Sequence, residues 1–496
     1  MFDLKFFLKL FLGDLPKYPN TRLYPFEELP ADGLTMGTLF IGKQGTGKTT
    51  SLSQHIVEYF KKYPDRSILV LDSKGSNSNE IFALVGKEPD WEKLSERIVY
   101  DDLGNPEWVI PLPEFSHIYG TSFDEQAHRV AANLQNLAPE LVKGAPYIAG
   151  LGLQETAPQL FRIESAISND RNETWQVTET RELLTRISLL KKMVAMHGFK
   201  VPKAKQYFET EFFPLSQNEK ELRTYAIRAL LGATESPEIR ARLGYSRPGW
   251  TPREAIRNGL MVIVDGSRLN NRKAVQHYLF TQAFSLIMAE INKRQPADPN
   301  DKPVSLILDE VYSLFKIPSM APEIAQLSPQ YRSRKLQLYI VLQELEQMSE
   351  ELLPHIWSLG NIVCFCISNF DEAYKIAQQL FKYDPKTIKM DSKSDTGQPI
   401  VEADRGQYLQ IANDLQRLAH RECIIRRYQS ERVMEKNILW VKKTKEVPNA
   451  PTRISVQELK DKLLRERGVR VRDALDVIHQ RTLVNAQQST PKPPAL

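Results

Sequence analysis

"LFIGKQGTGKTTSLSQHI", Leu39 to Ile56, decides the reading of this chain. Leu39 to Lys43 have the character of a buried strand end, and from Thr49 onward the pattern is helical. Between them a glycine-rich turn fits G-x-x-x-x-G-K-[ST] through Gly42, Gly47, Lys48 and Thr49. Glycines let the backbone fold tightly and aim its N–H groups at a polyphosphate, and the helix that follows adds its positive end. Lys48 is expected to reach the β- and γ-phosphates, and the Thr49 hydroxyl to complete a Mg²⁺ shell. The expected nucleotide contacts are Gly42, Lys43, Gln44, Gly45, Thr46, Gly47, Lys48, Thr49 and Thr50.

A phosphate cradle needs a second half, and "VSLILDE" supplies it. This apolar strand ends in two carboxylates, Asp309 and Glu310. Acids at the C-terminal end of a strand face the crevice where ligands sit in open α/β sheets. Asp309 is expected to hold Mg²⁺, directly or through water, and Glu310 to polarise the attacking water. Regulatory GTPases carry N-K-x-D, but the near match Asn292-Lys293-Arg294-Gln295 has Gln where Asp is required. The L-S-G-G-Q signature of ABC transporters is also missing. A glutamate directly after the strand aspartate favours ATP as the nucleotide.

Outward from these two motifs, short apolar strands alternate with helices, which implies an α/β fold with a mostly parallel sheet. Lys48 and Asp309 are 261 positions apart, far more than a minimal core requires. Residues 122–245 show helical periodicity with few strand-like runs, so an all-α domain is expected to be spliced into the core. The domain reading is an N-terminal segment (1–36), core (37–121), helical insert (122–245), core with the second motif (246–442) and a basic helical tail (443–496). Thr251, Pro252 and Glu254 read as a helix start, and Ser455 with Glu458 as a capping box.

The 496 residues fit about two to four domains, and 42% hydrophobic content suffices for a large core. Three cysteines (Cys364, Cys366, Cys423) exclude a disulfide framework and fit a reducing, cytoplasmic setting. No apolar stretch approaches the roughly 18–20 residues of a bilayer span. "MFDLKFFLKLFLGDL" at the N-terminus is broken by Asp3, Lys5 and Lys9, so a docking helix is expected, with interfacial recruitment to the membrane as the open alternative. The net charge is +5, and the segment 442–481 holds eleven Lys/Arg against six Asp/Glu, which equals that whole excess. Such a run is a solvated helix face or an arm touching nucleic acid. The apolar stripe Leu459, Leu463, Leu475 and Ile478 offers a third use, docking a protein partner.

Four stretches, taken in order, resemble the HerA–FtsK superfamily of ring-forming DNA translocases, and most of all the coupling-protein (TraG/TraD-like) ATPases of type IV secretion and conjugation. "LVLDSKGS" is similar to that family's D-P-K-G, with Ser73 in place of Pro. "GWTPREAIRNGLMVIVDGSRLNN" resembles its helix and strand before the acidic pair. "LDEVYSLFKIPSMAPEIAQLSPQYRSRKLQLYIVLQELEQM" carries D-E, then Arg, then a strand ending in Gln. "YLQIANDLQRLAHRECIIRR" resembles the closing segment. The resemblance covers about Gly37 to Val441, with the helical insert matched loosely.

It implies a RecA-like P-loop ATPase core, a hexameric ring, DNA as the moved substrate, and ATP with Mg²⁺ as cofactors. Gln343 then takes a sensor position and Arg332 that of an arginine finger supplied across a subunit interface, with Arg334 as its rival. For Asp72 a turn-capping role and a site role both stay open. The two transmembrane helices of membrane-anchored coupling proteins are absent, which leaves soluble or partner-recruited forms. Packaging and end-processing translocases share the same core. An ATP-gated recruitment or assembly factor that never moves DNA is the alternative of a different class.

Overall fold

Runs such as "SILVLD", "MVIVD", "VSLILD" and "LQLYIVL" are rich in branched aliphatics and buried along their whole length. Strands covered on both faces read as near-continuous apolar runs, the signature of a parallel sheet sandwiched by helices. The computed structural model describes residues 37–113, 115, 122–135, 150–171, 175–294, 302–309, 333–348, 352–380, 388–393, 399–401, 404–426, 440–444, 447 and 449–489.

In chain order the strands are β1 (Thr38–Ile41), β2 (Ser67–Asp72), β3 (Ile98–Asp102), β4 (Trp108–Val109), β5 (Met261–Asp265), β6 (Val304–Asp309), β7 (Leu336–Leu342), β8 (Asn361–Cys364), β9 (Ile388–Lys393), β10 (Pro399–Val401), β11 (Glu422–Arg426), β12 (Trp440–Lys443) and β13 (Val469–Arg470). One sheet takes the order β12-β11-β8-β1-β7-β6-β2-β5-β3. Its run from β8 to β3 is parallel; β11 pairs antiparallel with β8 and β12 antiparallel with β11, so only β11 runs against the others. β9 pairs with β10, and β4 with β13.

Between β4 and β5 the described elements are helices, the longest being Phe123–Gln135, Ala157–Arg171 and Gln217–Gly232. They share one continuous apolar core with the sheet. A buried ion pair, Arg242 to Asp101 of β3, ties this layer to the sheet, and the Trp250 indole N–H donates to the same carboxylate at 3.2 Å. Thr251 caps the helix Pro252–Arg257 by accepting the Glu254 N–H, the start the sequence signals. Among the described residues no helix is long and apolar enough to cross a membrane.

The tail does not stand apart. The helix Val456–Arg467, opened by the Ser455–Glu458 capping box, packs on β3 and on the helix Ser76–Val85. Leu459, Leu463 and Leu464 are buried in the main core. The chain then adds β13 to β4, and the helix Val471–Ser489 packs on the helix Pro237–Gly244, with Ile478 buried and Arg481 bonded to Glu179. The apolar stripe expected to dock a partner is therefore turned inward, with Leu475 half-buried beside it. The sheet also runs one residue past the expected core limit at 442, to Lys443.

Candidate functional site

The loop after β1 is shaped by two glycines. Gly42 has φ 153°, and a Cβ there would lie 2.7 Å from the Cβ of Phe365. Gly47 has φ 96° and forms the N-cap of the helix Lys48–Lys62. Both are backbone conformations that L side chains rarely adopt. The Lys43 N–H donates to the Cys366 carbonyl at 2.8 Å, which fastens the loop to the extension of β8. The Thr46 hydroxyl donates to the Lys43 carbonyl at 2.8 Å.

Lys48 is buried, and its ammonium folds back on the loop, donating to the carbonyls of Gly42 and, at 2.9 Å, of Lys43. Gln44 and Gly45 are exposed, and Thr49 is half-buried. The Thr50 hydroxyl donates to Glu80 at 3.1 Å, on the helix that follows β2. Burial raises the Glu80 carboxyl above its ordinary value.

Strand order brings the second motif to the same sheet edge. β7 lies between β1 and β6, with Ile41 level with Leu342 and Val341 level with Asp309. Gln343, one residue past β7, is half-buried and follows Leu342 as Gly42 follows Ile41. Asp309 ends β6, fully buried. Glu310 and Arg332 lie outside the described residues, as does the segment 1–36. Arg334 lies before β7, at the opposite sheet edge, and its guanidinium donates to the Asn292 side chain of its own chain.

The register adds two acids that motif reading overlooked, Asp265 and Asp102. Asp309, Asp72, Asp265 and Asp102 are level with one another across β6, β2, β5 and β3. Asp72 accepts the N–H groups of Lys74 (3.2 Å), Gly75 (2.8 Å) and Ser78 (2.8 Å), so it caps the turn into the helix Ser76–Val85. Of its two open roles, the geometry gives turn capping. Burial and the neighbouring Asp265 push its carboxyl up to about 6. Asp265 accepts from the Ser78 hydroxyl at 2.8 Å and the Tyr100 hydroxyl at 2.9 Å, with the Lys460 ammonium at 3.4 Å. Burial acts to raise it, but Lys460 and Ser267 outweigh that and hold it below the usual value. Asp102 is raised by burial against the pull of Arg268, 2.7 Å away. Strand-final Asp in "VIVDGS" and "VYDDLG" was the available signal; the first lies inside a stretch read only for its helix and strand, and the second has no motif around it.

A further pair backs the loop. The His420 Nδ1 lies 2.8 Å from the Gly45 carbonyl, and the Arg421 N–H donates to the Thr46 carbonyl at 2.9 Å. Both residues sit in the turn between the helix Asp404–Arg417 and β11.

No family model matches the sequence, and no curated protein is detectably similar to it. Solved structures are. The bacterial conjugative coupling protein TrwBdeltaN70, unbound, aligns with TM-score 0.55 and 15% identity over 86% of this chain and 88% of that one. The plasmid coupling protein TrwB with the non-hydrolysable GTP analogue GDPNP gives 0.54 and 14%, over 86% and 89%. The same protein with ADP and Mg²⁺ gives 0.51 and 14%, over 86% and 89%. The likeness is one of fold: a RecA-like P-loop α/β core, mostly parallel, with helices inserted.

Proposed function

We propose that this chain is an ATP-hydrolysing motor that assembles as a hexameric ring and translocates DNA, in conjugative or related type IV secretion transfer. One observation carries the reading. The glycine-rich loop of β1, Gln343 after β7 and Asp309 of β6 occupy three neighbouring strand ends on one sheet edge. Open α/β sheets bind ligands at that edge. The fold likeness supports it further, since TrwB has been solved with a guanine nucleotide analogue and with ADP and Mg²⁺.

In this reading the backbone N–H groups of residues 45–50 cradle the phosphates. Lys48 exchanges its loop carbonyls for β- and γ-phosphate oxygens. The Thr49 hydroxyl and the buried Asp309 carboxylate are hard oxygen donors suited to Mg²⁺. That ion, when bound, neutralises charge on the phosphate oxygens. Glu310 orients and polarises the attacking water, and Gln343 contacts that water or the γ-phosphate. Arg332 enters the neighbouring subunit's site, where a finger is worth roughly 10³–10⁵ in rate. A lone subunit is therefore expected to be nearly inactive.

The competing class is an ATP-gated recruitment factor that never moves DNA. ATP hydrolysis with and without single- and double-stranded DNA, on protein sized by light scattering, separates the two. A motor is stimulated by DNA and active as a hexamer. Hydrolysis indifferent to DNA sinks the motor reading.

A further inference from the structure

In a trans peptide the carbonyl of one residue and the N–H of the next point in opposite directions. Whatever holds a loop's carbonyls outward therefore also turns its N–H groups inward. Three successive carbonyls of the glycine-rich loop are held in this way. The Gly47 carbonyl accepts the Ser51 N–H at 3.0 Å, within the helix Lys48–Lys62. The other two depend on a distant turn: the Thr46 carbonyl accepts the Arg421 N–H at 2.9 Å, and the Gly45 carbonyl faces the His420 Nδ1 at 2.8 Å. A carbonyl oxygen cannot donate, so Nδ1 carries the proton in this bond.

The turn is itself built for this contact. Arg421 adopts φ 69°, the left-handed region that costs a non-glycine residue about 1–2 kcal/mol. Three bonds to one residue hold it there. Its carbonyl accepts the Thr444 N–H at 2.9 Å, and its guanidinium donates to the Thr444 hydroxyl at 3.2 Å and carbonyl at 3.0 Å. Gly47 lies directly against it, since a Cβ on Gly47 would stand 3.0 Å from the Arg421 Cγ. Local strain kept by surrounding bonds is a mark of a functional constraint.

We infer that His420 and Arg421 are positioning residues for the phosphate cradle. They fix the peptide planes that turn the Thr46 and Gly47 N–H groups toward the bound phosphates. Because these N–H groups serve ground state and transition state alike, their loss raises KM more than it lowers kcat. The inference rests on the nucleotide-binding reading above.

The test is a titration with mant-labelled ATP and Mg²⁺, run on full-length wild type, His420→Ala, His420→Asn and Lys48→Ala, with thermal midpoints taken without nucleotide. His420 is exposed, so the Ala variant is expected to keep the wild-type midpoint. Its affinity should fall about three- to tenfold, the worth of one hydrogen bond, with KM rising and kcat held. His420→Asn, whose amide N–H replaces Nδ1–H, should recover most of the loss. Affinity unchanged in His420→Ala overturns the inference while wild type still binds and Lys48→Ala does not. It is also overturned if Asn fails to rescue, or if midpoint and affinity fall together. Wild type that takes up no nucleotide refutes the functional reading itself, and the inference with it.

Discussion

Lys460, on the helix Val456–Arg467, sets its ammonium 3.4 Å from the carboxylate of Asp265 at the end of β5. Both side chains are close to fully buried, at 11% and 1% exposure. Lys460 also lies 4.9 Å from the Tyr100 ring centroid and donates to Asn79 at 2.9 Å. Part of the charge that makes the tail basic is thus spent inside the molecule. Lys462 likewise sits over Trp91 and bonds Ser95, and Arg467 pairs with Glu254.

Removing the cation leaves a buried carboxylate uncompensated, which costs about 3–5 kcal/mol. Lys460→Met is expected to lower the thermal midpoint clearly at neutral pH. Asp265 is held below its ordinary value, so the stability from this pair is present above the normal carboxylate range and lost as pH falls through the lowered value. The gap between wild type and variant should therefore narrow below about pH 4. Midpoints measured across pH on both proteins check it, and a gap independent of pH would count against the pair.

Asp72 gives the opposite sign. Its folded value is about 6 against 3.8 in a model peptide, so its protonated form is favoured by folding. That stability is complete below about pH 4 and is lost as pH rises through about 6. Asp72→Asn should flatten this part of the stability profile. It keeps one acceptor for the Lys74 and Gly75 N–H groups and loses the one serving Ser78. Denaturation followed between pH 4 and 7 tests both statements.

Truncating the chain at residue 450 removes Leu459, Leu463 and Leu464 from the core, each worth about 1.5–3 kcal/mol of burial. The truncated protein is expected to lose solubility or cooperative unfolding, not merely DNA affinity. A truncated form with the wild-type midpoint would show that the tail is dispensable to the fold.

In the proposed nucleotide site, Lys48→Ala should lose both binding and turnover. Glu310→Gln should retain bound ATP while turnover falls by about 10²–10⁴, the usual worth of a general base. Gly42→Ala, forced to place its Cβ 2.7 Å from that of Phe365, should lose binding through the distorted loop. Glu310→Gln turning over at the wild-type rate would remove that residue from the mechanism.

How far the sequence carried can be judged from single residues. The tight loop after β1 was legible because Gly42 and Gly47 stand at backbone conformations that other residues rarely adopt, between a strand and a helix of clear period. β6 was legible because an apolar run ends abruptly at Asp309. Thr251 and Ser455 signalled their caps because that chemistry is local to four residues. The rest depended on distant partners. Nothing near Arg421 announces φ 69°, since Thr444 and the loop impose it. The stripe of Leu459 and Leu463 fixes an amphipathic helix but not what covers it, and here the answer is β3. β12 passed unread because a strand so short at the sheet edge owes its state to pairing with β11.

If Arg332 acts across a subunit interface, Arg332→Ala alone should be nearly inactive, as should Lys48→Ala alone. Mixed and allowed to exchange, the two should regain hydrolysis where an intact loop meets an intact finger. Exchange is verified by labelled subunits. A mixture as inactive as its components, with exchange shown, argues against a finger in trans.

Movement along DNA is measured most directly by displacement of a roadblock. A labelled third strand is annealed to a duplex, and streptavidin is bound to the end of a biotinylated single strand, so that both kinds of track are offered. The expected result is ATP-dependent displacement on at least one track by wild type, with none when ADP replaces ATP and none from Glu310→Gln. Protein that hydrolyses ATP yet displaces nothing on either track would contradict the motor and leave an ATP-gated recruitment factor in its place.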